Sequence, residues 1–505
     1  MVIDEKTRIQ RFNEMIGTRS LYFPSAEIYP KHFAGFFEYG PLGNKIRLNL
    51  IKFWRNEFIK KNNFLEISGS VILPEVVFKA SGHLSNFDDP IATCSKTGQT
   101  YKLDKLIQEV IGEEVPEGLS NEEYQELITK NNIKSENGGN LINIKRFNLM
   151  SSIDVGAQEG SKGYLRGESC QSIFLDFLRI YKTGRDTLPI TISQHGKVYR
   201  NEISPRQGLI RCREFEQLET EMFFDSDKID DYDLSNILDY KIRFKLLKDD
   251  TEKDYTVKEI TKQNISVGKL LTYYLYLKQK FLDDIGFEHN LLRFREVPDN
   301  DRAFYSKQTF DLEVQSSLGW IELFSFNYRT DHDLKAHSKG SKKDLTVKEE
   351  GKVIAPHVLE VSSIGLDRLF YVLLENSFKV KEEKEELRNV LQLKPKIAPY
   401  FCAILPLVKK DGLLELSQGI SQDLLDTSNE LFDIFFDEKG SIGKRYARLD
   451  EIGTNYCITV DHDTKEDKTV TIRDRDTFNQ KRIAISDLSQ KLVDLYKGKI
   501  KFNNL

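Results

Sequence analysis

Two runs of alternating apolar and polar residues, Gly196–Arg200 and Phe215–Phe224, flank a turn-rich basic loop, Ser204–Arg213. A period of two on both sides of a turn builds antiparallel strands with one buried face. The same alternation recurs in Leu188–Gln194, Gln308–Glu313 and Gly319–Arg329, and Val358–Val361 reads as one more strand. Helical periodicity lies between them. Gly43–Lys60 sets Ile46, Leu50, Phe53, Trp54 and Phe58 near 3-4 spacing, and Gly365–Phe378 is strongly apolar. The pattern predicts an α+β core: an antiparallel sheet flanked by helices.

The chain has 505 residues, enough for about three domains or elaborated subdomains at roughly 150 residues each. The core is read in pieces: 1–90, 146–226 and 287–378. A polar stretch over 91–145 reads as a surface insertion, and 227–286 as a second, helical insertion. Mixed charge over 379–396, closed by Lys394-Pro395, reads as a linker. From 397 to 505 strands and helices alternate, which predicts an independent α/β domain.

Charge excludes a chain that binds nucleic acid by its overall field. Lys+Arg number 74 and Asp+Glu 79, so 74 − 79 = −5, and any such binding must use local basic patches. The five cysteines (94, 170, 212, 402 and 457) are scattered, with no C-x-x-C, and read as reduced thiols in a cytosolic protein. No zinc site is expected. No uncharged apolar run approaches the length of a membrane span, and the start MVIDEKTRIQRF lacks a leader's apolar stretch. A cytoplasmic protein without a membrane partner is expected.

Three elements carry the chemistry, the first of them the helix Gly43–Lys60 followed by a strand that ends in Pro74. Arg200 and Glu202 close a strand, and Arg211 precedes Phe215 on the returning one. Gly365-Leu366-Asp367-Arg368 opens the apolar helix. A guanidinium offers a fixed, permanently charged fork to phosphate, and a ring beside it offers a face to a nucleobase. Three arginines on a rigid sheet suit a bent triphosphate. Neither GxxxxGK[ST] nor a GxGxxG after a strand occurs, which excludes the common phosphate loops.

These elements resemble the three motifs of class II aminoacyl-tRNA synthetases. Longer strings are similar to glycyl-tRNA synthetases of the archaeal and eukaryotic homodimeric type. They include FEYGPLG (37–43), KASGHL (79–84), FNLM (147–150), GKVYRNEISPRQGLIRCREFEQLETEMFF (196–224) and HVLEVSSIGLDRLFYVLLE (357–375). In the C-terminal part LPL (405–407), GSIGKRY (440–446), DEIGT (450–454) and RDRD (473–476) continue the likeness.

The resemblance implies a glycine–tRNA ligase fold: a class II catalytic domain followed by an anticodon-binding domain. It implies ATP with Mg²⁺, glycine and tRNA-Gly as the molecules handled, and a homodimer joined through the first motif. Arg200 would hold the α-phosphate, Arg211 and Arg368 the β/γ end, Phe215 the adenine, and Glu202 would lie near its amino group. Glu313 and Glu322 would lie near ATP and its magnesium. Glu168, Glu219 and Glu360 would surround the glycine ammonium, Arg329 would approach its carboxylate, and Ser362 would close the space over its α-carbon. Lys444, Arg445, Tyr446, Arg448, Arg473 and Arg475 would contact the anticodon, supplying cations and a stacking face.

The sequence departs from the family in places. Gly167-Glu168-Ser169-Cys170-Gln171-Ser172 stands where Pro-Glu-Thr-Ala-Gln-Gly is usual. Glu360-Val361-Ser362-Ser363-Ile364-Gly365 carries one residue more than Glu-Pro-Ser-x-Gly; the Glu-x-Ser spacing selects Ser362 over Ser363. Ala303-Phe304-Tyr305-Ser306 lacks a usual histidine, and Thr97 stands where some relatives complete a C-x-x-C with Cys94. Two rival readings are a class II synthetase for another small amino acid and a synthetase-like nucleic-acid-binding accessory protein without activity.

Overall fold

The computed structural model describes residues 3–505 except 114, 117, 158, 159, 204, 206, 207, 300, 304, 384, 429 and 430. Parts of the basic loop (Ser204, Arg206 and Gln207) and Phe304 therefore lie outside the described residues.

Nine strands form the central sheet: β1 (Leu65–Ile67), β2 (Ile190–Tyr199), β3 (Glu214–Phe224), β4 (Lys241–Lys245), β5 (Lys253–Thr256), β6 (Leu292–Glu296), β7 (Gln308–Ser316), β8 (Gly319–Thr330) and β9 (His357–Gly365). Their order is β5-β4-β6-β7-β8-β9-β3-β2-β1. All neighbours are antiparallel except the pairs β4–β6 and β1–β2.

One face of this sheet is covered throughout. Helices α1 (Pro41–Trp54), α3 (Gly268–Ile285) and α5 (Leu366–Ser377) bury Ile46, Trp54, Tyr274, Phe281 and Phe370 there, against Leu218, Phe324, Leu359 and Ile364 of the strands. The other face is covered at one end only. There α2 (Gln171–Thr183) and α4 (His332–Ser341) pack Phe174, Phe177 and Leu334 on Phe223 and Val358. The uncovered part of that face is open to a ligand.

Four sequence readings change. The segment 227–286 is no helical insertion: β4 and β5 extend the central sheet, and α3 is part of its main core. Short strands with few alternations, such as Lys241–Lys245, give too little period to read. The segment 379–396 is no open linker, because Phe378–Glu383 and Glu386–Leu391 form a hairpin whose Leu391 joins the core. The 91–145 insertion is a folded unit beginning at Asp88. Three strands and the helices Leu103–Ile111 and Asn121–Lys130 enclose their own core around Leu103, Ile107 and Tyr124. The helix read over Gly43–Lys60 is α-helical to Trp54 and π-helical over Arg55–Lys60. Gly43 lets it start close to the preceding chain, since a Cβ there would lie 1.8 Å from the carbonyl oxygen of Leu21.

The C-terminal domain is a five-stranded mixed sheet. Its order is Ile434–Phe436, Cys402–Pro406, Tyr456–Val460, Thr469–Asp474 and Gln480–Ala484, with the first three parallel. Lys45 of α1 pairs with Asp433 at 2.9 Å, and Arg19 pairs with Glu451, which ties the domain to the catalytic part.

Candidate active site

The open face of the sheet forms a cavity of about 480 Å³. Alternate residues of β3 point the same way, so Phe215, Gln217 and Glu219 line it in a row. β8 contributes Glu322, Ser325, Asn327 and Arg329; β9 contributes Glu360 and Ser363. Asp88, Asp89 and Lys102 of the small inserted unit reach its rim.

One end is cationic. Arg200 follows β2 directly; its guanidinium lies 5.0 Å from the Phe87 ring centre and 5.4 Å from that of Phe215. Its Nε donates to the carbonyl oxygen of Gly167 at 3.1 Å. Arg211 pairs with Glu202 through Nε at 2.9 Å. Arg368, in the first turn of α5, donates from Nη1 to the carbonyl oxygen of Glu322 at 2.7 Å. All three arginines line the cavity. At Gly365 a Cβ would meet nothing nearer than the Cβ of Arg368 at 3.8 Å.

The other end is acidic. Glu168 approaches His83 Nε2 at 3.3 Å and Arg200 Nη2 at 3.6 Å. Burial works against its charge, yet the His83 hydrogen bond, with the charges of His83, Arg200 and Arg329, holds its pKa well below the usual range. Glu219 moves the opposite way. Burial first, then the neighbouring Glu360, raises its pKa well above 4.5, against the Ser363 hydroxyl that donates to Oε1 at 2.8 Å. Glu360 is also raised by burial, although Arg329 and Asn327 favour its charge. Arg329 is 1% exposed; it forks onto Asp333 at 2.7 and 2.9 Å and lies 3.4 Å from Glu360. The Tyr305 ring covers it at 3.8 Å. Three acidic side chains, Glu168, Glu219 and Glu360, thus line the same end of the cavity.

Of the residues expected from sequence, Arg200, Glu202, Arg211, Phe215, Glu322, Arg368, Glu168, Glu219, Arg329 and Glu360 all line this one cavity. Three expectations fail. Ser362 is buried on the other face: its Oγ accepts from Trp54 Nε1 at 3.1 Å and donates to the carbonyl of Leu218 at 3.2 Å. Ser363 lines the cavity instead. Glu221 is opposite Glu360 and Thr220 opposite Ser362, so Val361 is the extra residue of a β-bulge that reverses the facing of the residues after it.

Glu313 stands opposite Glu322 across β7 and β8 but is not among the residues lining the cavity; its oxygens accept from Arg293 Nε at 2.7 Å and Arg295 Nε at 3.1 Å. Of the expected pair only Glu322, 46% exposed at its side chain, lines the cavity.

Three of the six expected anticodon-contacting residues are structural. Arg473 is fully buried and forks onto Asp450 at 2.8 and 3.0 Å. Arg445 donates to the carbonyls of Pro406 at 2.7 Å and Asp437 at 3.0 Å. Arg475 donates to those of Leu393 and Gly453, both at 2.9 Å. All three guanidinium groups are engaged inside the domain, so they cannot reach RNA without dismantling it. Lys444 is exposed and Arg448 and Tyr446 are half-buried. Arg448 pairs with Asp437, and the Tyr446 hydroxyl lies 2.6 Å from Thr459 Oγ1.

Sequence reading missed Gln217, Asn327 and His83. Strand parity was the available signal for the first two: Gln217 stands two before Glu219, and Asn327 two before Arg329.

The family described as "tRNA synthetase class II core domain (G, H, P, S and T)" matches residues 154–377, and "Anticodon binding domain" matches 402–495. The chain is 37% identical to the glycine–tRNA ligase of Pyrococcus abyssi, covering 97% of this chain and 99% of that protein. It is 35% identical to that of Archaeoglobus fulgidus, with 96% of each covered. The chain belongs to the glycine–tRNA ligase family. The fold is also shared, at a TM-score of 0.59 and 17% identity, with a crystal structure titled as the RNA binding domain of threonyl-tRNA synthetase from Cryptosporidium parvum Iowa II. That match covers 96% of this chain and 98% of the other. The family's class II core therefore accounts for the cavity-bearing sheet, and its anticodon-binding domain for the C-terminal sheet. Among the described residues no helix is long and apolar enough to cross a membrane.

Proposed function

We propose that this chain is a glycine–tRNA ligase, which activates glycine with ATP and transfers it to the 3′ end of tRNA-Gly. The observation that carries the reading is one cavity with three arginines at one end and Glu168, Glu219 and Glu360 at the other. That polarity fits a triphosphate beside a small amino acid.

In the first step a glycine carboxylate oxygen attacks the α-phosphorus of ATP, and pyrophosphate leaves. Arg200 neutralises the α-phosphoryl charge, while Arg211 and Arg368 hold the departing end. Arg211 is paired with Glu202 and Arg368 with the Glu322 backbone, so both must exchange these partners for phosphate. Bound Mg²⁺ would neutralise further phosphate charge, with Glu322 as the side chain able to hold it. Phe215 supports the adenine. In the second step the terminal ribose hydroxyl of the tRNA attacks the glycyl carbonyl carbon, and AMP leaves. Positioning and charge neutralisation carry both steps, without a covalent enzyme intermediate.

The C-terminal domain would read the anticodon, with Lys444, Tyr446 and Arg448 as the accessible part of the expected set. Exposed Ile28, Tyr29, Phe33 and Val76, at 87%, 62%, 78% and 59%, support a homodimer contact involving the N-terminal part. The cytoplasm is the compartment that fits free thiols and these substrates.

ATP–pyrophosphate exchange across the twenty amino acids, without tRNA, tests the reading. Glycine-dependent exchange is expected; preference for another amino acid, or none, overturns it. Sedimentation of the purified chain tests the dimer.

A further inference from the structure

A lysine lies under the acidic end, on the side of the sheet that should be apolar. Lys278 belongs to α3 and is 0% exposed. Its stem runs through the core, and its ammonium group lies 4.5 Å from the Phe326 ring centre and 5.6 Å from that of Phe324. Its one hydrogen bond among the described residues goes from Nζ to the carbonyl oxygen of Ser325 at 2.6 Å. No carboxylate of the described residues pairs with it directly. A buried ammonium without an ion partner is costly, so its retention calls for a longer-range reason.

The sheet supplies one. Pairing between β8 and β9 is irregular between Phe324 and Tyr328, which spans Ser325 to Asn327. Here Ser325 turns its carbonyl to Lys278 while its hydroxyl accepts from Asn327 Nδ2 at 2.6 Å. Asn327 Nδ2 in turn reaches Glu360 Oε2 at 3.2 Å. A chain of polar groups thus links the helix side of the sheet to the acidic end on the cavity side.

The acidic end holds more acidic groups than its own face has cations to pair with them. Arg329 is already forked onto Asp333, and Glu221, fully buried beside the set, has no hydrogen-bond partner for either oxygen among the described residues. We infer that Lys278 is a positioning residue for the amino-acid end of the cavity, supplying through the sheet the positive charge that balances Glu219, Glu221 and Glu360. This rests on the glycine-activating reading above. The groups acting on Lys278 are Glu360 of β9, Glu219 and Glu221 of β3, and Asp311 of β7. Those acting on the three glutamates are, besides Lys278, Arg329 of β8, Asp333 of α4 and Glu168 ahead of α2. Burial lowers the Lys278 pKa to about 8 even though these carboxylates pull it upward, so the charge is present at neutral pH and is lost above about 8.

Lys278→Met keeps the stem and removes the charge. With the charge gone the three glutamates retain protons more readily and bind an ammonium less well. In glycine-dependent exchange the variant should show a KM for glycine raised about tenfold at pH 7, the effect of roughly one pKa unit. Its kcat should change far less. Wild type loses the same charge as pH rises through about 8, so the two KM curves should converge above that pH. Removing a buried unpaired charge should leave the Tm equal or higher. Lys278→Arg should restore part of the low KM below pH 8. Lys278→Gln keeps a donor for the Ser325 carbonyl without the charge; it should behave like Lys278→Met and serves in its place if methionine fails to fold. A KM–pH curve superimposable on wild type in either neutral variant overturns the inference, as does a lowered Tm with an unchanged curve. Absence of glycine-dependent exchange in the wild type would instead overturn the functional reading.

Discussion

The Ser363 hydroxyl donates to Glu219 Oε1 at 2.8 Å across two central strands, directly over the floor of the cavity's acidic end. Its neighbour Ser362 faces Trp54 through the other side of the sheet. One bulged residue, Val361, separates these fates, because a shift of one position exchanges the faces of a strand. Of the pair, the second serine is the one that lines the cavity.

Ser363→Gly should admit alanine. It frees the volume of a hydroxymethyl group beside Glu219, and discrimination against one methyl is worth about 1–3 kcal/mol in a pocket of this kind. Alanine-dependent pyrophosphate exchange should rise roughly 10- to 100-fold while glycine exchange stays measurable. Ser362→Gly should leave selectivity unchanged and lower the Tm, since it removes the partner of a buried indole N–H. Relaxed selectivity in Ser362→Gly alone would contradict this geometry.

Arg200 should be intolerant of lysine as well as alanine. Its fork holds the Gly167 carbonyl, lies over Phe87 and Phe215, and still faces the cavity. A lysine ammonium cannot keep these contacts and bind a phosphate together. Either variant should lose roughly 10²- to 10³-fold in glycine-dependent exchange, the scale of removing one well-placed donor to developing charge. Unchanged thermal unfolding would show that the loss is not one of folding, and near-normal exchange would refute the assignment.

The long alternating strands made the centre of this fold legible. Phe215–Phe224 is read correctly as strand because it is long and rich in β-forming residues, although its alternation is interrupted at Glu216-Gln217 and Met222–Phe224. Lys241–Lys245 and Lys253–Thr256 are too short and too charged, and only their pairing beside β6 reveals them as sheet. At the site, residues fixed by strand parity were legible, while Ser362 failed because a bulge is invisible to a spacing argument. Arg445, Arg473 and Arg475 failed for another reason. Arginine on an α/β domain reads as surface charge, yet their partners, including Asp450 and the carbonyl of Leu393, come together only in the folded domain.

Glu219→Gln should stabilise the protein at alkaline pH while abolishing glycine activation. The folded pKa of Glu219 is raised by burial and by Glu360, so the folded state holds this proton more tightly than the unfolded state. Its contribution is fully present below the ordinary value of 4.5 and is lost as pH rises toward the folded pKa. Glutamine removes that loss. Relative to wild type the variant should gain about 1–3 kcal/mol at pH 8 and nothing near pH 4. Calorimetric unfolding at the two pH values checks the sign. A variant less stable at pH 8 would mean that the charged form of Glu219 is favoured in the fold.

The C-terminal basic residues should divide into two groups by what they lose. Arg473 lies between Tyr446 and Phe478, at 4.7 and 4.8 Å from their ring centres, and its fork on Asp450 leaves neither group exposed. Arg473→Ala strands the Asp450 carboxylate in the interior, where breaking one side of a buried pair costs about 3–5 kcal/mol. It should lower the unfolding temperature and charge tRNA poorly only because the domain is damaged. Glu383 of the hairpin is within 3.5 Å of Arg473, so the damage should extend to the junction with the catalytic part. Lys444→Ala should instead leave unfolding unchanged, because the side chain is exposed. If it meets RNA phosphate, its loss should weaken tRNA binding and reduce the slope of affinity against salt by about one unit or slightly less. Glycine-dependent pyrophosphate exchange without tRNA should stay normal in Lys444→Ala. A fully stable Arg473→Ala protein with selectively weakened tRNA binding would place that arginine at the RNA interface and reverse the assignment.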